Sequence, residues 1–573
     1  MRTLTSLLAA AVTISIPAAA QEAVGDWAGI LEVSESVSLS LVVHIKRDDA
    51  GVLTGTMDSP SQGAVGLPLA EIAASEERLA FTVPVVGGAY AGNWDGGSKS
   101  WKGEWSQGGG RLPLELVVPP PPLPADWSPP ADDRIEALIA ERIARRAGQG
   151  LVFGVLEPDG RRVIAGGPAG GEAFGGDTLF EIGSISKVFT ALVLADMAAK
   201  GEVSLDDPAE KYLPAGATMP SRGGRKITLA DLSTHTSGLP RLADNMPYGD
   251  LGDPYADYTE ALMLEFLGRY ELTRDIGSQY EYSNFGVGLL GYLLGRAAGS
   301  DYETLLRERI TGPLGMSDTA VTLSPDQQSR FAPGHDGFLR PAKAWRQPIQ
   351  PGAGAIRSTA NDMLKFAAAV LDPGSPIAAA MKVALAERRD PGIPSVEQAL
   401  GWQVIHPEPG RDLLSHNGGT GGYRAALLLE PAKGTAVVAL ANSATDPPPA
   451  DLAFHVLLGA PVAPTPPLPP APPPAATRAE IMLPEAELDR VVGRYEFDYG
   501  LQIGVTRDGD VLRAQRQGAV TGPALQLYAE APLRFFLRAL DVQVRFTTDE
   551  GGKVTGAVLT QSGEEQTGKR VEP

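Results

Sequence analysis

The sequence of 573 residues contains no cysteine. That excludes a thiolate nucleophile, a thiolate zinc site and any disulfide framework. Histidine is scarce too: His44, His235, His335, His406, His416 and His455 are the six. No two of them share a helical ligand spacing, and H-E-x-x-H is absent, so no metal and no cofactor is expected. G-x-S-x-G is also missing, which removes the strand–turn–helix serine elbow. Basic residues are in deficit, 49 Lys and Arg against 69 Asp and Glu, for a formal charge of −20. Phosphate binding needs clustered cations, so the expected partner is a small molecule or peptide and not a nucleic acid.

Apolar runs of the roughly 20 residues that span a bilayer are lacking as well. The N-terminus carries a shorter one. Arg2 precedes the apolar stretch Leu4 to Ile16, and Ala18-Ala19-Ala20 follows it. This pattern reads as a secretory signal over residues 1–20, with Gln21 as the first mature residue. The expected product is secreted or periplasmic, with no membrane span after cleavage. Oligomeric state leaves no trace in the sequence.

What is present is a globular composition, 43% hydrophobic and 21% charged, enough for several domains. Two proline-rich stretches, PPPPLPADWSPP and PVAPTPPLPPAPPP, read as semi-rigid spacers. They divide the chain into a β domain at 21–118, a linker at 119–131, a central domain at 132–460, a linker at 461–476 and a second β domain at 477–573. In the first block Ser36 to Ile45, Arg78 to Val83 and Trp101 to Trp105 are strand-like. Asp58 to Gly63 and Ser106-Gln107-Gly108 read as turns. In the last block Asp508-Gly509 and Gly551-Gly552 mark hairpins. The central block opens on a helix, Asp132 to Ala147, and a hairpin, Leu151 to Ala165, turning at Pro158-Asp159-Gly160. It closes on a second hairpin, Tyr423 to Ala441, with helices such as Val188 to Ala199 and Phe285 to Arg296 between. Strands at both ends and helices between predict one antiparallel sheet beside a helical lobe.

Three short motifs carry chemistry. Ser184-Ile185-Ser186-Lys187 is an S-x-x-K at the start of a helical run. Residues three apart share a helix face, so Lys187 can set its amine beside the Ser184 hydroxyl. A serine needs such a partner to become a nucleophile. Tyr282-Ser283-Asn284 is the second motif. A phenol near an ammonium is expected to have its pKa lowered and to shuttle a proton. Asn284 offers an amide donor and acceptor to a substrate. The third is His416-Asn417-Gly418-Gly419, read as a glycine-rich segment where backbone approaches a substrate closely. Gly286-Val287-Gly288-Leu289-Leu290-Gly291 matches G-x-G-x-x-G. No βαβ unit surrounds it, so it reads as a small-residue helix face.

In this order and spacing the motifs resemble those of the serine β-lactamase and penicillin-binding protein superfamily: S-x-x-K, Y-x-N, then K/H-x-G. Leu232 to Pro240 (LSTHTSGLP), Pro351 to Met363 (PGAGAIRSTANDM) and Gly201 to Pro214 (GEVSLDDPAEKYLP) resemble further stretches of that family. The resemblance implies an α+β catalytic domain with an antiparallel sheet and a helical lobe. Two small all-β domains flank it, the C-terminal one lipocalin-like. It implies an acyl-enzyme on Ser184, with Lys187 and Tyr282 handling the proton and either of them the base. The backbone N–H groups of Ser184 and Gly419 become the oxyanion hole. Asn284, His416, Asn417 and Gly418 contact substrate, and His235 is structural.

One position departs. Class C β-lactamases carry Lys where His416 stands, whereas histidine occurs in D,D-peptidase-like, D-aminopeptidase-like and esterase-like members. An unperturbed His titrates near pH 6.5, so a fixed positive charge for a β-lactam carboxylate is lost. The expected function is therefore an exported serine hydrolase acting on an amide, peptide or ester. The alternatives are a class C-like β-lactamase, or a penicillin-binding sensor whose acyl-enzyme never turns over.

Overall fold

The computed structural model describes residues 23–571 except 35–36, 49, 60–63, 108–109, 120–122, 125, 169–172, 248–249, 251, 394, 409, 464, 466, 469–479, 498–501, 518–523, 538–541, 550 and 562–563. The signal segment, the Pro60 to Gly63 part of one expected turn, Gly108 of the other and most of the second linker lie outside the described residues. Among those described, no helix is long and apolar enough to cross a membrane.

The chain divides into two units, residues 1–122 with 392–395, and the remainder. The first unit is a nine-stranded antiparallel meander running from Gly25–Ser34 to Gly110–Val117. Its first strand pairs with its last at Ala28↔Val117. Period-two patterning makes the strands: in Arg78–Val83 every second side chain is buried. The core is aromatic. Trp27 meets Trp94 and Trp101 edge to face at 5.9 and 5.8 Å, a geometry that adds to plain area burial.

In the second unit the expected sheet is present. Seven antiparallel strands run in the order Gly160–Gly166, Leu151–Glu157, Thr435–Ala441, Arg424–Glu430, Arg411–Gly419, Gln403–Glu408, Val396–Gln398. The opening and closing hairpins join in its centre, with Leu151 opposite Ala441. Both faces are covered. Ile135, Leu138, Leu452 and Val456 pack with Phe153 and Val437 on one. The helical lobe packs with Val152, Leu427 and Val438 on the other. This double burial explains why Thr435–Ala441 is buried at every position and reads as an unbroken apolar run.

The first proline-rich stretch is only partly a spacer. Trp127 donates its indole N–H to Val456 O (3.1 Å) and lies edge-on to His455. Pro130 O accepts from Arg162 (2.8 Å). The second stretch begins pinned, with Ala463 N donating to Asp451 and Arg142 to Thr465 Oγ1. Beyond it, eight strands from Gly493–Phe497 to Glu564–Val571 close in sequential order into a barrel. Tyr495, Phe497, Val505, Leu527, Val544 and Phe546 fill its interior, leaving a void of about 40 Å³. It is a packed core of the kind eight-stranded barrels make.

Candidate active site

Ser184 sits in a single 3-10 turn, Gly183–Ile185, that runs into the helix Ser186–Ala199. The sequence pattern sets Ser184 at the N-terminus of the helix, and the structure places it in the turn that leads into it. Threefold spacing survives because a 3-10 turn also brings i and i+3 together. Lys187 is fully buried. Its Nζ lies 3.0 Å from Ser184 Oγ and donates to Ala353 O at 2.6 Å. Burial, with Arg241 adding to it, pushes the amine's pKa well below the ordinary lysine value. Desolvation penalises the charged form and so raises the share of free amine able to accept the Ser184 proton.

The carbonyl of Ala353 owes its place to glycines. Ala353 ends the turn Pro351–Ala353, which packs on the helix Asn284–Ala298. A Cβ on Gly288 would stand 2.6 Å from Gln350 Cβ, and one on Gly291 would stand 3.3 Å from Gly352 Cα. Thr190 Oγ1 donates to Gly352 O at 2.9 Å. The G-x-G-x-x-G run is thus the small-residue face that admits this turn. Downstream, Arg357 pairs with buried Glu181 at 3.0 Å. Leu179–Glu181 and Arg357–Thr359 are antiparallel partners.

The Tyr282 ring lies 4.4 Å from the His235 ring, with Lys187 Nζ 5.0 Å and Arg241 Cζ 5.3 Å from its own centre. The phenol's pKa rises to about 12, because burial outweighs the opposing Ser184 hydrogen bond and the Arg241 charge. The lowering expected from sequence does not occur, because burial of the phenol dominates. His235 is buried at φ 60°. Its Nδ1 accepts from Ser283 N (3.1 Å) and its carbonyl from Glu281 N (2.8 Å). It touches the turn that carries Tyr282, in keeping with a structural role. Ser283 caps the following helix by accepting from Gly286 N and donates to Pro240 O. Asn284 opens that helix. Its Nδ2 reaches Tyr255 at 3.4 Å, and its Oδ1 is buried with no partner.

The third motif is the end of the strand Arg411–Gly419, not a loop. Backbone pairing with Arg424–Glu430 through Gly419↔Arg424 keeps it extended. A Cβ on Gly418 would fall 1.9 Å from Ile182 O, and one on Gly183 (φ 50°) 2.6 Å from Gly419 N. The glycines therefore admit close approach between this strand and the Ser184 turn. His416 is buried, and its Nδ1 lies 2.7 Å from Asn417 O. Burial first, and Lys187 second, bring its pKa down to about 4.

These elements enclose a cavity of about 510 Å³ lined by Ser184, Arg241, Tyr282, Trp345, Gln403, His416, Asn417, Gly419, Thr420 and Arg424. Asn284 and Gly418 stand outside its lining. A larger groove of about 860 Å³, lined by Tyr292, Arg296, Tyr302 and Gln347 among others, contains none of the motif residues. Sequence reasoning did not find Ala353, Arg241, Trp345 or Arg424 as site residues. Arg241 follows the LSTHTSGLP run directly, and that adjacency was the available signal.

A family model described as Beta-lactamase matches residues 135–460, and one for a domain of unknown function, DUF3471, matches residues 477–570. The D-alanyl-D-alanine-carboxypeptidase/endopeptidase AmpH of Escherichia coli (strain K12) is 34% identical over 271 residues, 45% of this chain and 69% of the relative. Penicillin-binding protein 4* of Bacillus subtilis (strain 168) is 27% identical over 424 residues, 68% of this chain and 87% of the relative. Among solved structures, the β-lactamase/D-alanine carboxypeptidase from Yersinia pestis, complexed with citrate, aligns with a TM-score of 0.48 and 28% identity over 54% of this chain and 92% of that one. Since the family match spans more than half the sequence and takes in all three motifs, the chain belongs to the Beta-lactamase family and is a serine hydrolase.

Proposed function

We propose that this protein is an exported hydrolase that cleaves an amide or peptide bond through an acyl-enzyme on Ser184. The observation that carries the reading is the fully buried Lys187 amine 3.0 Å from Ser184 Oγ, with its pKa lowered well below the ordinary lysine value by burial. In acylation the Ser184 oxygen bonds to the substrate carbonyl carbon and its proton passes to Lys187. The carbonyl oxygen takes up negative charge facing the N–H groups of Ser184 and Gly419; losing one such donor typically costs roughly 3–4 kcal/mol. The carbon–nitrogen bond then breaks. Tyr282, protonated at neutral pH, gives its proton to the leaving amine and is refilled from Lys187. Water repeats the sequence on the acyl-enzyme, so amide plus water yields acid plus amine.

Asn284, with its unpartnered buried oxygen, is assigned to the substrate amide. Asn417 lines the cavity as a polar contact, while Gly418 keeps the strand close. His416, neutral above pH 4, contributes hydrogen bonding and no charge. That favours peptidase, amidase or esterase work over a class C-like β-lactamase. The names of the relatives, a carboxypeptidase/endopeptidase and a penicillin-binding protein, favour a peptide. In this reading the hydrolase occupies residues 132–460, between β domains at 21–118 and 477–573. Removal of residues 1–20 delivers it outside the cytoplasm, which the mass of the exported protein would reveal.

The test is the intact mass after brief exposure to a simple penicillin, beside Ser184→Ala. A covalent adduct on the wild type alone supports the reading, and turnover of a small ester or peptide separates it from a non-turning-over sensor. Equal activity in Ser184→Ala overturns it.

A further inference from the structure

We propose that Glu181 is a positioning residue that sets the oxyanion hole, by tying the segment that carries Ser184 to the segment that carries Gly419 through the Thr420 hydroxyl. The inference rests on the hydrolase reading above and adds a residue that acts from behind the cavity wall.

The two amides that face the substrate oxygen belong to different segments, so their separation has to be fixed by a contact between the segments. Gly183 and Gly418 permit close approach but supply no bond to hold it. Among the described residues, no backbone hydrogen bond joins residues 182–185 to residues 416–420. Glu181 ends the strand Leu179–Glu181, three residues ahead of Ser184, and Thr420 directly follows Gly419. Both side chains are buried. Glu181 Oε1 is fully used: it accepts from Trp345 N at 2.8 Å and from Arg357 Nη2 at 3.0 Å. These two bonds hold the carboxyl in place.

Its other oxygen is uncommitted. Glu181 Oε2 and Thr420 Oγ1 are both buried, and neither completes a hydrogen bond. Buried oxygens in that state are costly. The two groups are neighbours: burial raises the pKa of the Glu181 carboxyl, and Arg357 first, then the Thr420 hydroxyl, oppose the rise. One shared proton satisfies both oxygens. With Glu181 ionised the hydroxyl donates, and with Glu181 protonated the carboxyl donates, so the tie holds in either state. Thr420 and Trp345 both line the catalytic cavity. The one carboxyl therefore reaches two parts of its wall, Trp345 through the main chain and Thr420 through the hydroxyl. Because Thr420 Oγ1 is buried, it is turned to this tie and not to substrate.

The experiment uses the full-length mature protein, p-nitrophenyl acetate as substrate and phenylboronic acid as probe. Boron accepts the Ser184 oxygen and becomes tetrahedral, with a hydroxyl where the oxyanion would stand, so its inhibition constant reads the hole. Thr420→Val keeps the side-chain shape and removes the hydroxyl. It should lower kcat by roughly ten- to a hundred-fold and weaken phenylboronic acid by a similar factor, with KM little changed. Glu181→Gln still accepts from Trp345 and Arg357 and donates to Thr420, so it should keep most of the activity. Glu181→Leu should lose at least as much as Thr420→Val, and combining the two should cost nothing further. If Glu181→Leu does not fold, Thr420→Val beside Glu181→Gln decides. Unchanged kcat and probe affinity in Thr420→Val overturn the proposal. So does a rise in KM alone, the mark of a hydroxyl that touches substrate, and so does a Glu181→Gln variant as impaired as Thr420→Val. In each of these cases Ser184-dependent ester hydrolysis leaves the hydrolase reading standing. Hydrolysis equal in Ser184→Ala would instead remove that reading itself.

Discussion

Gly418→Ala probes how tightly the third-motif strand must approach the nucleophile turn. The added Cβ would meet Ile182 O at 1.9 Å and Ile182 C at 2.9 Å, both backbone atoms that cannot rotate away. Moving from 1.9 Å to the 3.4 Å of ordinary contact requires a separation of about 1.5 Å. Ile182 is two residues before Ser184, so the shift draws the Ser184 and Gly419 amides apart. A misplacement of about 1 Å costs on the order of a hundredfold in rate, and loss of an oxyanion donor roughly 10²–10³. The expected loss in kcat/KM is therefore about 10²–10³, carried by kcat, because the affected hydrogen bonds strengthen only in the transition state. Gly419→Ala should lose less, since its Cβ meets the flexible Arg424 side chain at 3.2 Å. The assay is steady-state ester or peptide hydrolysis together with the acylation rate by intact mass, with thermal unfolding as a check on the fold. A folded Gly418→Ala variant within about threefold of the wild-type kcat/KM, against the rate scale above, would refute the reasoning.

Lys187→Met should abolish turnover, and its stability should depend on pH in a defined direction. Folding lowers the pKa of this amine well below its ordinary value of 10.5, so in between the unfolded chain binds a proton that the folded protein gives up. The unfolded state then binds more protons, so the wild type gains stability as pH rises toward 10.5. The difference in melting temperature, Lys187→Met minus wild type, should shrink between pH 7 and pH 10; a constant difference contradicts a lysine pKa lowered by burial. His416→Gln reports on the acid side. Its pKa falls from 6.5 to about 4 on folding. Between those limits the unfolded chain takes up a proton that the folded protein refuses. The wild type should therefore lose about 3 kcal/mol, as pH falls to 4, that the variant keeps. Parallel denaturant titrations at pH 7 and pH 4.5 measure it, and equal losses in both proteins would show that His416 is not held neutral.

The sheet and its helical lobe were legible because both hairpins and the long helices carry strong periodic patterns. Leu151–Glu157 and Thr435–Ala441 were readable as strands although these central partners lie far apart in the chain, Val152 and its partner Leu440 being 288 residues apart. The docking of part of the first linker was not legible, for a physical reason. Proline content marks Pro119 to Pro130 as extended, but an extended chain can still dock, and Trp127 does so through its indole and ring. The sense of the Tyr282 shift was also illegible. Motif spacing brings a lysine near a phenol; it does not say whether that lysine keeps its charge.

That last point governs how the catalytic pair works. The two residues between Ser184 and Lys187 set distance, but the seat of the amine is completed from far along the chain. Ala353 O receives the Lys187 N–H from 166 residues away, and a backbone carbonyl has no side-chain signature to read. What places it is the absence of side chains on the opposing helix, at Gly288 and Gly291, where any Cβ would crowd the turn. The run that most resembled a nucleotide loop thus helps seat the Lys187 amine. A larger residue at Gly288 would push Gln350 outward and carry the Pro351–Ala353 turn with it, loosening the seat of the base while leaving every motif residue unchanged. The same dependence explains why the PGAGAIRST stretch sits so far in sequence from S-x-x-K yet belongs to one site: its carbonyl holds Lys187, and its Arg357 holds Glu181 just ahead of the nucleophile turn.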